Sequence, residues 1–176
     1  SYTAFQLGLR TDDYHGKARI SSIDTKKLLE DISSNIIPVI TGFQGINEEG
    51  DITTLGRGGS DTSAVALAVA LKAEECQIFT DVDGVYTTDP NIYSKAKKIE
   101  KLTFEEMLEL SSLGAKVLQI RSVEFASKYN MPIRVKSSFT NDKGTLINAE
   151  ENMEDALISG VTHTSDDAKL TIRNCL

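Results

Sequence analysis

The chain has 176 residues, 40% hydrophobic and 26% charged, a balance that builds one ordinary core and is that of a globular and not a disordered protein; no apolar run is long enough to cross a bilayer. With 26 Asp and Glu against 19 Lys and Arg, the net charge of −7 argues against a general nucleic-acid surface but not against a local pocket for a small anion. Cys76 and Cys175 lie far apart without metal-type spacing, and the first residues lack a basic start followed by an apolar run, so a reducing cytoplasm is the simplest setting and no signal peptide is expected.

Residues 1–23 read as a strand or two with turns. Asp24 is placed to cap a helix carrying Leu28, Leu29 and Ile32 on one face, with Asn35 ending it. Residues 36–40, Ile-Ile-Pro-Val-Ile, form a short apolar run of the kind found in buried parallel strands. A polar segment at 45–50 predicts a hairpin leading into Thr53-Thr54-Leu55. Next, Gly56-Arg57-Gly58-Gly59-Ser60-Asp61 opens a helix over 62 to about 73, whose many alanines leave almost no polar face and require packing on both sides.

Residues 77–80 predict a strand that ends in the acidic turn Asp81-Val82-Asp83-Gly84. Thr103 and Glu106 form a capping box for a helix that is interrupted near Gly114 and resumes over 115–129. Asn130 suits a left-handed cap, Pro132 blocks continuation, and residues 133–136 predict a strand. The alternation of strand and helix implies right-handed crossovers onto a mostly parallel sheet. Residues 150–155 read as an acidic linker, and 158–161 and 170–172 as strands of a unit that stops short.

Three stretches carry chemistry. In the glycine run, positive φ and the missing Cβ let backbone approach a ligand, and the helix start offers N–H donors and a positive dipole end. Arg57 adds a fork suited to a carboxylate. The competing reading is a glycine turn with Ser60 or Asp61 only capping the helix; no Gly-Lys-Ser/Thr follows, so it is not a Walker loop. The second stretch, Thr80 to Pro90, starts where a strand ends, the side of an α/β sheet where ligands bind. Its carboxylates suit ribose hydroxyls or the neighbourhood of a magnesium ion, and Tyr86 offers a flat face to a base; the alternative is a loop of turn formers doing backbone work. The third is Leu113-Gly114-Ala115-Lys116-Val117-Leu118, where a lysine at a helix start either meets a phosphate or is solvated. His15 and His163 sit in polar contexts and read as surface residues, and no metal site is expected.

Together, Thr53-Thr54-Leu55-Gly56-Arg57-Gly58-Gly59-Ser60-Asp61, Thr80-Asp81-Val82-Asp83-Gly84-Val85-Tyr86-Thr87-Thr88-Asp89-Pro90 and Gly114-Ala115-Lys116-Val117-Leu118 resemble, in order and spacing, the aspartokinase signatures within the amino-acid kinase family. Val39-Ile40-Thr41-Gly42-Phe43 and Pro132-Ile133-Arg134-Val135 also match. The resemblance implies a three-layer α/β/α sandwich, truncated here, with residues 1–150 as the nucleotide-binding part of a kinase domain. Residues 151–176 are then a linker and the first strands of a shortened ACT domain.

It also implies ATP and Mg2+ as cofactor and metal, aspartate as substrate, and a reaction that phosphorylates the aspartate side-chain carboxylate on the way to lysine, threonine and methionine. By position, Asp61 is the implied catalytic residue, and Arg57, Gly58, Gly59 and Ser60 bind aspartate. Thr80, Asp81, Tyr86, Asp89, Lys116 and Val117 line the nucleotide. A homo-oligomer, or a partnership with an absent N-terminal segment, is implied too.

Two departures from the family pattern stand out. Asn91 replaces an arginine, with Lys95, Lys97 or Lys98 as candidate substitutes. The lysine–glycine–glycine loop of the family has no counterpart, so the chain alone is expected to be inactive or weakly active. The alternative is a non-catalytic nucleotide-binding or regulatory partner subunit; a kinase for glutamate or a nucleotide is a third.

Overall fold

A computed structural model describes residues 1–112, 117–150 and 158–162. The strands are β1 (Arg10–Thr11), β2 (Ile20–Ser22), β3 (Gln44–Ile46), β4 (Ile52–Thr54), β5 (Cys76–Thr80), β6 (Lys101–Thr103), β7 (Ile133–Ser137) and β8 (Thr145–Asn148). The helices are α1 (Lys26–Ser33), α2 (Gly59–Leu71), α3 (Phe104–Ser112) and α4 (Ile120–Tyr129). Among the described residues the strands form two four-stranded sheets, ordered β2-β1-β3-β4 and β5-β7-β8-β6.

The α/β class expected from the alternating pattern holds, and the strand senses are mixed. β5 and β7 run parallel, as do β6 and β8, whereas β7 and β8 are antiparallel. Short connections explain the antiparallel neighbours, because a few residues can reverse a chain but cannot cross a sheet. The same holds for β3 and β4, joined by a turn in which the Asn47 side chain accepts the Asp51 amide at 2.7 Å.

Helix α2 is the element both cores share. Val65 and Ala68 join the main cluster with Cys76, Val123, Ile133 and Ile147, while Leu67 joins Leu7 and Leu28 in the smaller one. With apolar residues at 64, 65, 68 and 69 on one side and 67 and 71 on the other, the helix is buried twice, as its composition requires.

Several local expectations hold. The Thr103–Glu106 capping box forms in both directions, with the Thr103 amide 2.8 Å from the Glu106 carboxylate and the Glu106 amide 3.2 Å from the Thr103 hydroxyl. Asn130 takes the left-handed cap of α4 at φ +52, Asn35 lies in the same region just past α1, and His15 is exposed.

Others are corrected. The residue capping α1 is Thr25, although Asp24 still accepts the Lys26 amide at 3.0 Å; of the predicted apolar face only Leu28 is fully buried, with Leu29 and Ile32 about half exposed. Residues 36–40 are not a buried strand: Ile40 makes one bridge to Tyr2, and Ile37 is 88% exposed. A single pairing edge contributed by Tyr2 is too short to sustain a ladder. The last long helix starts at Ile120, not 115, because Val117 to Gln119 form a turn that leaves Gln119 extended at ψ 136. Residues 158–162 form no strand; residues 170–172, His163, Cys175 and most of the expected linker and ACT segment lie outside the described residues. β6 and β8 are additions to the expected strands.

These burials predict opposite outcomes for two isoleucines. Ile133→Ala, fully buried in β7, should lower unfolding free energy by about 3 kcal/mol in urea denaturation. Ile37→Ala should change it by less than about 0.5 kcal/mol, against the larger loss that a buried strand would give.

Candidate functional site

The glycine run folds into a tight entry to α2. Gly56 has φ +79, and a Cβ there would lie 2.6 Å from the Gly16 carbonyl oxygen. Gly58, the N-cap, has φ +68, and its Cβ would meet the Gln119 side chain at 2.0 Å. Only glycine fits either place. The close approach the glycines allow is therefore to the protein's own backbone and to Gln119.

What the run leaves open is its outer edge. Among the described residues no side chain caps α2, so neither Ser60 nor Asp61 does the capping considered for it. Arg57 and Ser60 are exposed, Gly59 is buried as the first helical residue, and Asp61 is half-buried. Uncapped first-turn amides and the dipole make this end a place for a carboxylate or phosphate. Burial pushes the Asp61 carboxyl above its ordinary range, opposed by a hydrogen bond from the Gln119 backbone amide. The Asp61 charge also reaches Cys76 at the start of β5, whose thiol is pushed up to about 11, first by burial and then by Asp61. That thiol is buried and protonated at neutral pH, which leaves it a weak nucleophile.

Two residues that sequence reasoning did not single out hold this entry in place. Arg121, on the first turn of α4, donates to the Leu55 carbonyl at 2.7 Å and the Ala18 carbonyl at 2.5 Å. Gln119 touches both Gly58 and Asp61. A guanidinium in the first turn of an amphipathic helix was the available signal for Arg121; nothing local marks Gln119. On the other flank, the Phe43 amide donates to Ser63 Oγ at 3.2 Å, and Ser63 donates to the Ser60 carbonyl at 2.9 Å. The 41–43 loop thus lies against the α2 start, and Phe43 adopts φ +72 to do so.

The acidic turn divides its side chains between two kinds of work. Asp83 accepts the Tyr86 hydroxyl at 2.9 Å, and Asp89 accepts the Asn91 amide at 2.8 Å, so these carboxylates brace the loop itself. Asp81 is exposed and accepts only the neighbouring Thr80 hydroxyl, at 3.0 Å, in what the structure describes. The turn is anchored from behind by the Val85 amide on Thr145 Oγ1 at 2.8 Å and the Ser138 amide on the Thr80 carbonyl at 2.8 Å.

Val117 packs against the main core, leaving its backbone as the part that a ligand could use, and Lys116 lies outside the described residues. Four residues join Ser112 to Val117, so the span from the end of α3 to the turn that meets Gly58 is at most about 19 Å.

A polar cavity of about 700 Å³ opens elsewhere, lined by Arg10, Thr11, Asp12, Asp13 and Glu48 among others. None of the predicted site residues lines it, and its Arg10 guanidinium is turned to the Asn47 carbonyl at 3.1 Å. Among the described residues no group of three His, Cys, Asp or Glu converges to hold a metal.

The glycine entry and the acidic turn, on helix and strand ends of one α/β unit, coincide with a profile match: that of the amino acid kinase family covers residues 1–137. The chain belongs to the amino acid kinase family. It is 61% identical over 175 residues to an aspartate kinase of Pseudomonas putida, covering 98% of this chain and 43% of that protein. The solved structure of Escherichia coli aspartokinase III in complex with aspartate and ADP is 35% identical, with a TM-score of 0.78 over 86% of this chain and 35% of the other. Aspartate kinase from Synechocystis is 41% identical, with a TM-score of 0.70, covering 89% and 25%. The chain thus spans well under half the length of these amino acid kinase relatives.

The raised Asp61 carboxyl sets a pH signature. A carboxyl with a folded pKa above its unfolded one contributes stability that is present at acid pH and lost as pH rises through the folded value. Asp61→Asn should therefore raise the melting temperature at pH 7, and the gain should vanish below about pH 4, the ordinary aspartate range. A thermal melt series from pH 3.5 to 8 checks this; a variant less stable than the parent at pH 7 contradicts it.

Proposed function

We propose that the protein containing this chain transfers the γ-phosphoryl group of ATP to the side-chain carboxylate of aspartate. An oxygen of that carboxylate attacks the γ-phosphorus, the bond to the β–γ bridging oxygen breaks, and ADP leaves as aspartyl phosphate forms. The observation that supports this best is the outward edge of the glycine run: Arg57 and Ser60 exposed at an uncapped helix start, with the partly desolvated Asp61 beside them. Likeness to aspartate kinases at 61% identity supports the choice of aspartate.

In this reading Arg57 takes a carboxylate of aspartate in its fork, and Ser60 with the Gly58 and Gly59 backbone holds the same substrate. Asp61 orients the cationic groups around the transferring phosphoryl. Asp81 and Thr80 receive the ribose, Tyr86 flanks the base with Asp89 close by, and Lys116 and the Val117 backbone reach the phosphates. Magnesium would arrive with the nucleotide, since it keeps several waters and needs only one or two carboxylates beyond the phosphate oxygens. Its chemistry is to neutralise charge that develops between the phosphates. The 176 residues hold this part of the machinery, and turnover belongs to a chain of the length of its relatives.

The test is aspartyl phosphate formation, trapped as the hydroxamate, by the protein at the length of those relatives. Asp61→Asn should lower kcat by about 100-fold or more with little change in nucleotide affinity. Arg57→Ala should act mainly on the KM for aspartate. Nucleotide binding without any turnover on aspartate would replace this reading with that of a nucleotide-binding partner subunit.

A further inference from the structure

Lys98 joins the acidic turn to the loop between β7 and β8. Its ammonium touches the Asp142 carboxylate and stands 3.6 Å from Asp83 Oδ2, with the side chain 22% exposed. Asp142 also accepts the Gly144 amide at 2.8 Å, and Asp83 accepts the Tyr86 hydroxyl. The stem is as constrained as the head. A backbone bridge pairs Lys98 with Tyr86, and a Cβ on Gly84 would come within 3.0 Å of Lys98 Cδ. One side chain therefore lies along the back of the turn, from Gly84 to the two carboxylates.

That placement answers what a lysine near Asn91 does. Lys98 is committed to Asp83 and Asp142 and is not a free phosphate contact. With Lys98, the pair of carboxylates presents one net negative charge; without it, two. Half-exposed ion pairs of this kind add little to stability, but their net charge is felt by a polyanion nearby.

We propose that Lys98 is a positioning residue for the nucleotide: its ammonium, clamped between Asp83 and Asp142, keeps the acidic turn closed and discharges it enough for a phosphate-bearing ligand to approach. This rests on the nucleotide reading of that turn.

ADP and adenosine binding to the 176-residue chain, measured by calorimetry with circular dichroism to verify folding, tests it. Lys98→Met should weaken ADP about tenfold and adenosine less than about twofold, because only ADP meets the added charge. Lys98→Arg should keep ADP within about threefold of the parent, since the charge is retained. The double variant Lys98→Met with Asp142→Asn returns the cluster to one net negative charge. The carboxamide oxygen introduced by that second change can still accept the Gly144 amide, so ADP affinity should recover to within about threefold.

A brace without electrostatic effect predicts otherwise: the double variant stays as weak as the single one, and adenosine falls in parallel with ADP. Either result overturns the proposal, as does ADP binding of parental strength in Lys98→Met. A parental chain that binds neither ligand removes the nucleotide reading itself, and this inference with it.

Discussion

Helix α2 has no polar face beyond its first turn, and the rest of the molecule is arranged around that fact. A helix of alanine, valine and leucine cannot lie on a surface, so it is sandwiched, with Val65 and Ala68 in the main core and Leu67 and Leu71 against the smaller one. The helix is thereby fixed along its length by packing on two sides. Its N-terminus, which bears the glycine run and Asp61, inherits that rigidity. A substrate site on such an end is held by the fold's two cores and not by a flexible loop.

The same end shows how packing and chemistry share residues. Gly56 and Gly58 let Gly16 and Gln119 approach, and this inward crowding turns the Arg57 and Ser60 edge outward. Arg121 then ties down the carbonyls of Leu55 and Ala18, which would otherwise compete for donors at the entry. Asp61 is the exception to this economy. Its carboxyl is partly desolvated and raised, a destabilising arrangement at neutral pH of the kind found where a charged group is kept for function.

The acidic turn follows a different logic. Several of its polar atoms hold the turn in place: Asp83 takes Tyr86, Asp89 takes Asn91, and the Val85 amide reaches Thr145 of β8. The turn formers of this stretch thus do backbone work, and Asp81 still faces solvent. Lys98 completes the arrangement from behind, against Asp83 and Asp142.

Local signals were enough for much of this. The capping box at Thr103 and Glu106, the left-handed Asn130, the hairpin at 44–54 and the double burial of α2 all depend on residues close in sequence, so the chain alone determined them. The glycine run and acidic turn were legible as motifs for the same reason. Tertiary structure decided the rest. Residues 36–40 are apolar enough for a buried strand, yet burial needs partners on both edges, and Tyr2 supplies only one. The start of α4 at Ile120, the approach of Gln119 to Gly58 and the Lys98–Asp142 contact link positions 44 to 61 residues apart, or depend on such contacts. No window of sequence contains both halves of those interactions, because what sets them is the packing of helices on sheets and not the preference of any one segment.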